Sequence, residues 1–222
     1  FSSTNAFSFP FSIVGTNCGT IISFVCTSFS SVLLVASPSV AAPAISQVAE
    51  NAGKLEVSAD ADKAFQTIKG EGFEVQFDMQ QGTINKLVYG GESVIVPGYG
   101  PRLNAFRAFV SNDNWCYQPW FANGLHNLKH RAENAQVIKE KNGNVKITCT
   151  VVSQAPNAAR LQSKNGRYDS GIHTLEENTD RPFGADDFKF TTNQIWTIYP
   201  DGSIELQAAI TSNNPGIVLA RL

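Results

Sequence analysis

The chain has 222 residues, of which 42% are hydrophobic and 10% aromatic. Only 16% are charged, against roughly 25% in an average soluble chain. That size fits one large domain, or one domain with an appendage. A net charge of −2 excludes a phosphate-tracking nucleic-acid surface, which needs an excess of Lys and Arg.

The first formal charge along the chain is Glu50, and residues 1–40 are dominated by Ser and Phe, with Phe7, Phe9, Phe11, Phe24 and Phe29 set among serines. Val32–Ala36 and Val40–Ala42 have the look of an apolar signal core and a small-residue cleavage zone, but no Lys or Arg precedes them, as a secretory signal requires. Ser, Thr and Pro38 interrupt Ile21–Ala42, so the roughly 20 continuous apolar residues of a membrane span are not expected. We expect residues 1–48 to lie outside the domain, with 1–40 foreign to it, as at the edge of a gene fragment read in the wrong frame. The domain is expected over residues 49–222.

From Leu55 the pattern is that of strands. Phe73, Val75 and Phe77 alternate with Glu74, Gln76 and Asp78, the period-2 mark of a half-buried strand. Gln80-Gln81-Gly82 supplies a turn, Ile84–Tyr89 a return strand, and Val94–Val96 a short third strand ended by Pro97-Gly98. The spacing predicts a helix over Phe121–Asn134, diluted by Gly124 and several Asn. Gln136–Glu140 leads into Asn142-Gly143, a strong hairpin signal, and Val145, Ile147, Cys149 and Val151 return. Residues 155–187 show no period and read as a long loop or insertion. Phe188–Tyr199, Asp201-Gly202 and Ile204–Ile210 form a further hairpin. The fold class that follows is mainly β, an antiparallel β-sandwich.

Candidate chemistry is sparse. Cys18, Cys26, Cys116 and Cys149 form no C-x-x-C pair and no zinc spacing, and three pairings are open to them. Cys149 lies on an apolar alternation and reads as a buried free thiol. His126 and His130 are spaced i, i+4, but Lys129 stands where a zinc hydrolase pattern would not place a cation; no metal site is assigned. Asp186-Asp187 could be a carboxylate pair, but neighbours on a strand point to opposite faces, and an exposed loop is the better reading. The densest region is Arg102–Leu125, where Asn112, Asp113 and Asn114 stand beside Trp115, Tyr117, Trp120 and Phe121. Polar groups beside aromatic faces suit a sugar, whose hydroxyls they bond and whose CH face they cover. The alternative is an ordered loop in which Asp113 pairs with Arg102 or Arg107 and the rings fill a core. Composition alone favours the second.

Longer runs carry a resemblance. Gly72-Phe73-Glu74-Val75-Gln76-Phe77-Asp78, Gly82-Thr83-Ile84-Asn85-Lys86-Leu87 and Tyr89-Gly90-Gly91 resemble the start of the C-terminal sandwich of glycoside hydrolase family 2 β-galactosidases. Pro101–Ala108 followed by Asn112-Asp113-Asn114 is similar to that family's arginine and N-D-N signature. Trp120, Ala122, Gly124 and Leu125 fit the segment after it, and Phe190–Tyr199 with Asp201-Gly202 its later hairpin. The resemblance covers about residues 50–222 and is poor over 155–187.

What the resemblance implies is a fragment of an enzyme that hydrolyses terminal non-reducing β-D-galactosides with retention, through two Glu on a separate barrel. No catalytic residue is carried over to this chain, which is expected to be inactive alone. Asn112, Asp113, Asn114 and Trp115 are its implied pocket-rim, substrate-binding residues. No cofactor is expected in this piece; the parent family often uses Mg2+ and a monovalent cation at the barrel. The implied partners are the galactoside substrate, the missing barrel and the remaining sandwich strands, since the pattern stops short of the family's C-terminal end. Unpaired strand edges would then make the piece poorly soluble alone. A homo-oligomeric parent, cytoplasmic or periplasmic, fits the same picture. The alternative is a stand-alone carbohydrate-binding β-sandwich module; a purely structural or interaction domain is a third reading.

Overall fold

The computed structural model describes residues 7–13, 53–110, 113, 115–163, 173–214 and 216–217. Within them two five-stranded antiparallel sheets face each other across a common apolar core. One sheet is a meander in chain order: β2 (Glu56–Ala59), β3 (Phe65–Gly70), β4 (Phe73–Asp78), β5 (Thr83–Tyr89) and β6 (Glu92–Ser93). The other has the order β1-β12-β11-β8-β7, with β1 (Phe7–Ile13), β7 (Lys129–Lys139), β8 (Val145–Gln154), β11 (Phe190–Ile198) and β12 (Ile204–Ser212). The antiparallel sandwich expected from the alternation is what the chain forms.

Alternation decides which side chains meet. On β8 the inward set is Val145, Ile147, Cys149, Val151 and Ser153, every second residue. It faces Ile68, Val75, Phe77, Ile84 and Leu87 of the meander, and the Phe77 ring meets Trp196 edge-on at 5.7 Å. Asp78, at the end of β4, is buried as well, and its carboxylate accepts from the backbone N–H groups of Gln80 and Gln81, each at 2.8 Å. The turn closes at Gly82, whose φ of +68° and whose approach to Val151 both exclude a Cβ.

A second core lies beside the first. The short helix α1 (Tyr117–Ala122) packs on β9 (Asn157–Ser163), and Tyr117, Trp120, Phe121, Leu161, Phe188 and Phe190 bury one another. No helix among the described residues is long and apolar enough to cross a membrane.

Four local expectations differ from the structure. The helix is shorter and earlier than Phe121–Asn134. Gly124 adopts a φ of +70°, a 3-10 turn follows over Leu125–Asn127, and the chain is extended from Leu128. Lys129–Asn134 instead continues the strand backwards, because pairing with β8 runs from Lys129 opposite Gln154 to Lys139 opposite Val145; cross-strand pairing outweighs a weak helical preference. Val94–Val96 is not a strand: Ser93 Oγ donates to the Ile95 carbonyl at 2.8 Å, and the chain bends there. The span 155–187, read as a long loop or insertion, carries β9 and β10 (His173–Pro182) as a two-stranded antiparallel sheet. Strand β10 is exposed from Thr174 through Pro182, so no apolar period betrays it. Lastly, Phe7–Ile13 comes from the segment expected to lie outside the domain, and it pairs with β12 over seven positions.

Candidate functional site

The loop from Gly98 to Cys116 links the meander to α1 and is pinned at its base and again at Arg107 and Asp113. At its base, Gly100 passes so close to β5 that a Cβ would sit 1.8 Å from the Ile84 carbonyl oxygen. The Thr83 hydroxyl donates to the Pro101 carbonyl at 2.5 Å, and Arg102 donates to the Gly98 and Gly100 carbonyls. Further along, the Arg107 guanidinium grips Asp113 with both terminal nitrogens, at 2.7 and 2.8 Å. It also lies over the Trp120 ring, 5.7 Å from its centroid.

Asp113 is therefore a clamp. Its second carboxylate oxygen also accepts from the Val110 N–H at 2.8 Å, its own N–H donates to the Val110 carbonyl, and its carbonyl receives the Cys116 N–H. The Arg107 hydrogen bond, followed by that from Val110, holds the carboxyl below its ordinary range. An anion so engaged has little left to offer a sugar hydroxyl. Of the two partners open to it on sequence grounds, Arg107 takes it and Arg102 serves the loop base.

The aromatic residues divide. Phe109 stacks on Tyr117 at 4.5 Å, Phe106 meets Trp120 and Phe121 edge-on, and all five belong to the second core. Trp115 differs from them in being 72% exposed. So of the four rim candidates, Asp113 is buried in the clamp and Trp115 is presented to solvent; Asn112 and Asn114 lie outside the described residues.

The remaining candidates take structural places. The i, i+4 spacing of the histidines would converge only on a helix, and the backbone leaves helical geometry between them. His126 Nε2 lies 3.1 Å from Glu177 Oε1, whereas His130 Nδ1 lies 2.8 Å from Ser153 Oγ. Burial, with the Arg102 and Lys129 charges, pushes His130 down to about 4. No group of three or more His, Cys, Asp or Glu among the described residues is placed to hold a metal ion. Asp187 anchors a turn, accepting from the Gly184 N–H and pairing with Arg181 at 3.1 Å. Cys116 and Cys149 are buried thiols, and desolvation raises Cys149 to about 11, far from a thiolate nucleophile.

The glutamates bear on catalysis. Glu74 pairs with Lys86 and Lys69, Glu140 with Lys146, and Glu177 with His126. In each case that hydrogen-bonded partner is the main cause of a lowered pKa. A glycosidase general acid needs the opposite, a carboxyl kept protonated by an apolar site. These three are held ionised.

Sequence reasoning missed one concave feature. A groove of about 490 Å³ lies between the start of β3 and the bulge of β7, lined by Lys63, Gln66, Met79, Gln80, Asn134 and Val137. Lys63 and Asn134 both have φ of 55° there. Lysine gives no sign of that backbone, and although asparagine tolerates it, Asn134 closes the span that the spacing predicts as a helix, so the groove was not legible.

No curated protein sequence matches the chain. The family described as the beta-galactosidase small chain matches residues 69–222, a span that runs from the end of β3 through β12 and takes in α1, the clamped loop, the second apolar core and most of the first. The chain belongs to the β-galactosidase small chain family.

Proposed function

We propose that this chain is the scaffold and pocket-rim sandwich of a retaining β-galactosidase, working with a catalytic barrel that supplies the acid and the nucleophile. The observation that carries this reading is the presentation of Trp115. Its loop is locked at Arg107 and Asp113, yet the indole is 72% exposed. An exposed indole on a fixed loop is a suitable wall for the CH face of a galactose, because the backbone that carries it need not be ordered when the sugar arrives. Asn112 and Asn114, flanking the clamp, complete the proposed rim. The exposed Tyr99 and Val110 of the same loop, with the exposed Val96 just before it, support contact with a further domain, since exposed apolar residues mark interaction surfaces where they form a patch. On this reading any Mg2+ or monovalent cation belongs to the barrel.

The chain alone is expected to leave a chromogenic β-galactoside intact. In the complete enzyme, Trp115→Ala is expected to raise KM about tenfold, equivalent to roughly 1.4 kcal/mol, with a smaller change in kcat. Turnover by the isolated chain, or an unchanged KM in the variant, would overturn the reading. The exposed indole also favours a second one, a stand-alone galactose-binding module. Saturable fluorescence quenching of the isolated chain by galactose, lost in Trp115→Ala, would select the module over the rim.

A further inference from the structure

Strand β12 has one side of its backbone bonded to β11 and the other side turned towards the end of the sheet. Such an edge is a template for another strand unless charge, proline or a covering segment guards it. The inward positions of β12 are apolar: Ile204 and Ala208 are buried, and Leu206 and Ile210 pack on the two cores. Its one charged residue, Glu205, is engaged by the Tyr199 hydroxyl at 2.7 Å and the Gln207 amide at 2.9 Å. The strand thus carries little guard of its own.

What lies on that edge is Phe7–Ile13, and its sequence fits. The register sets Phe7, Phe9, Phe11 and Ile13 opposite Ile210, Ala208, Leu206 and Ile204. Ser8, Pro10 and Ser12 stand opposite Ala209, Gln207 and Glu205. Opposed positions of an antiparallel pair share a face, so by register the apolar positions of β1 fall opposite the apolar positions of β12. Pro10 has no N–H to give, and sheets place proline on their outermost strand. A proline in β1 interrupts any ladder beyond it, so β1 closes the sheet and does not prolong it.

We propose that residues 7–13 are the chain's own edge cap, docked in cis on β12, and that they keep a second copy of the chain off that edge. Residues 14–55 separate β1 from β2. At roughly 3.3 Å per residue they could span more than 100 Å when extended, so donation to a neighbouring copy is also within reach and has to be distinguished.

A crosslink does so. Opposed residues of an antiparallel pair have Cα atoms about 4.5–5.5 Å apart, within disulfide range. In the full chain carrying Phe9→Cys and Ala208→Cys, oxidation at low protein concentration is expected to join positions 9 and 208 within a monomer, read by peptide mass mapping. Absence of that link, or its confinement to dimers, overturns the proposal. Independently, Phe9→Asp with Phe11→Asp in the full chain is expected at least to double the light-scattering mass relative to the unsubstituted chain. Excess synthetic peptide of residues 7–13 should reverse the increase. An unchanged mass across a 100-fold concentration range would count against the cap, and the crosslink, which leaves β1 apolar, decides without depending on how the charged variant folds.

Discussion

His130 sits partly buried on β7, its Nδ1 2.8 Å from the Ser153 hydroxyl, with the Arg102 and Lys129 charges near it. Its pKa falls to about 4 from the ordinary 6.5, so the fold prefers the neutral ring. The unfolded chain takes up a proton near 6.5 that the folded chain refuses until about 4. Stability from this residue is therefore complete above 6.5, declines as pH falls through that window, and is flat below it. Discounted for solvent screening, the loss is roughly 1–2 kcal/mol. Urea midpoints at pH 7.5 and 5 should fall less in His130→Gln than in the parent; equal falls would remove His130 as the cause. The same residue shows what sequence conveys at this scale. Its spacing from His126 was plain, but the partners of both rings depend on strands distant in sequence. Asp113 is similar: pairing with an arginine was legible as one of two readings, and the choice of Arg107 needed the loop's path.

Turns were the most legible elements, because their signals are local. Asn142-Gly143 and Asp201-Gly202 close hairpins as their sequence requires, with φ of +92° and +86° at the glycines. The first half of β7 and the pair β9-β10 were hidden for the opposite reason: their pairing comes from partners, and β10 buries almost nothing. Gly124 combines both influences. It ends α1 with a φ of +70°, and a Cβ there would lie 2.1 Å from the Ala155 Cβ. Gly143 has a positive φ too, but its nearest contact would be Pro200 at 3.6 Å. Gly143→Ala should therefore cost about 1 kcal/mol of backbone strain. Gly124→Ala should cost about 3 kcal/mol, since overlap with Ala155 adds to the same strain. Chemical denaturation of the two variants separates strain from crowding, and equal costs would show that the contact with Ala155 relaxes freely.

At the scale of the molecule, the sandwich and its family were readable because the inward residues of β4, β8 and β11 alternate so regularly; of the second core only the burial of Tyr117, Trp120 and Phe121 was legible, and not its partners, because its aromatic residues come from a loop and a six-residue helix. The two cores share strand β11, which gives Phe190 to one and Trp196 and Ile198 to the other. Beyond its base on β5, the clamped loop leans on the second core: Arg107 lies over Trp120, and Phe106 and Phe109 pack among Tyr117, Trp120 and Phe121. Damage to each core should thus have a different reach. Phe77→Ala removes a fully buried ring that meets Trp196 across the sandwich, at a cost of about 3–5 kcal/mol, and should speed amide exchange in both five-stranded sheets. Phe121→Ala empties a site of similar burial, but its neighbours are α1, β9 and the loop. Exchange should rise there, over residues 101–128 and 157–163, while β4, β5 and β8 keep their protection. Loss of protection in β4 and β5 in the Phe121 variant would show that the two cores unfold as one unit, and the proposed rim would then have no stability of its own to tune.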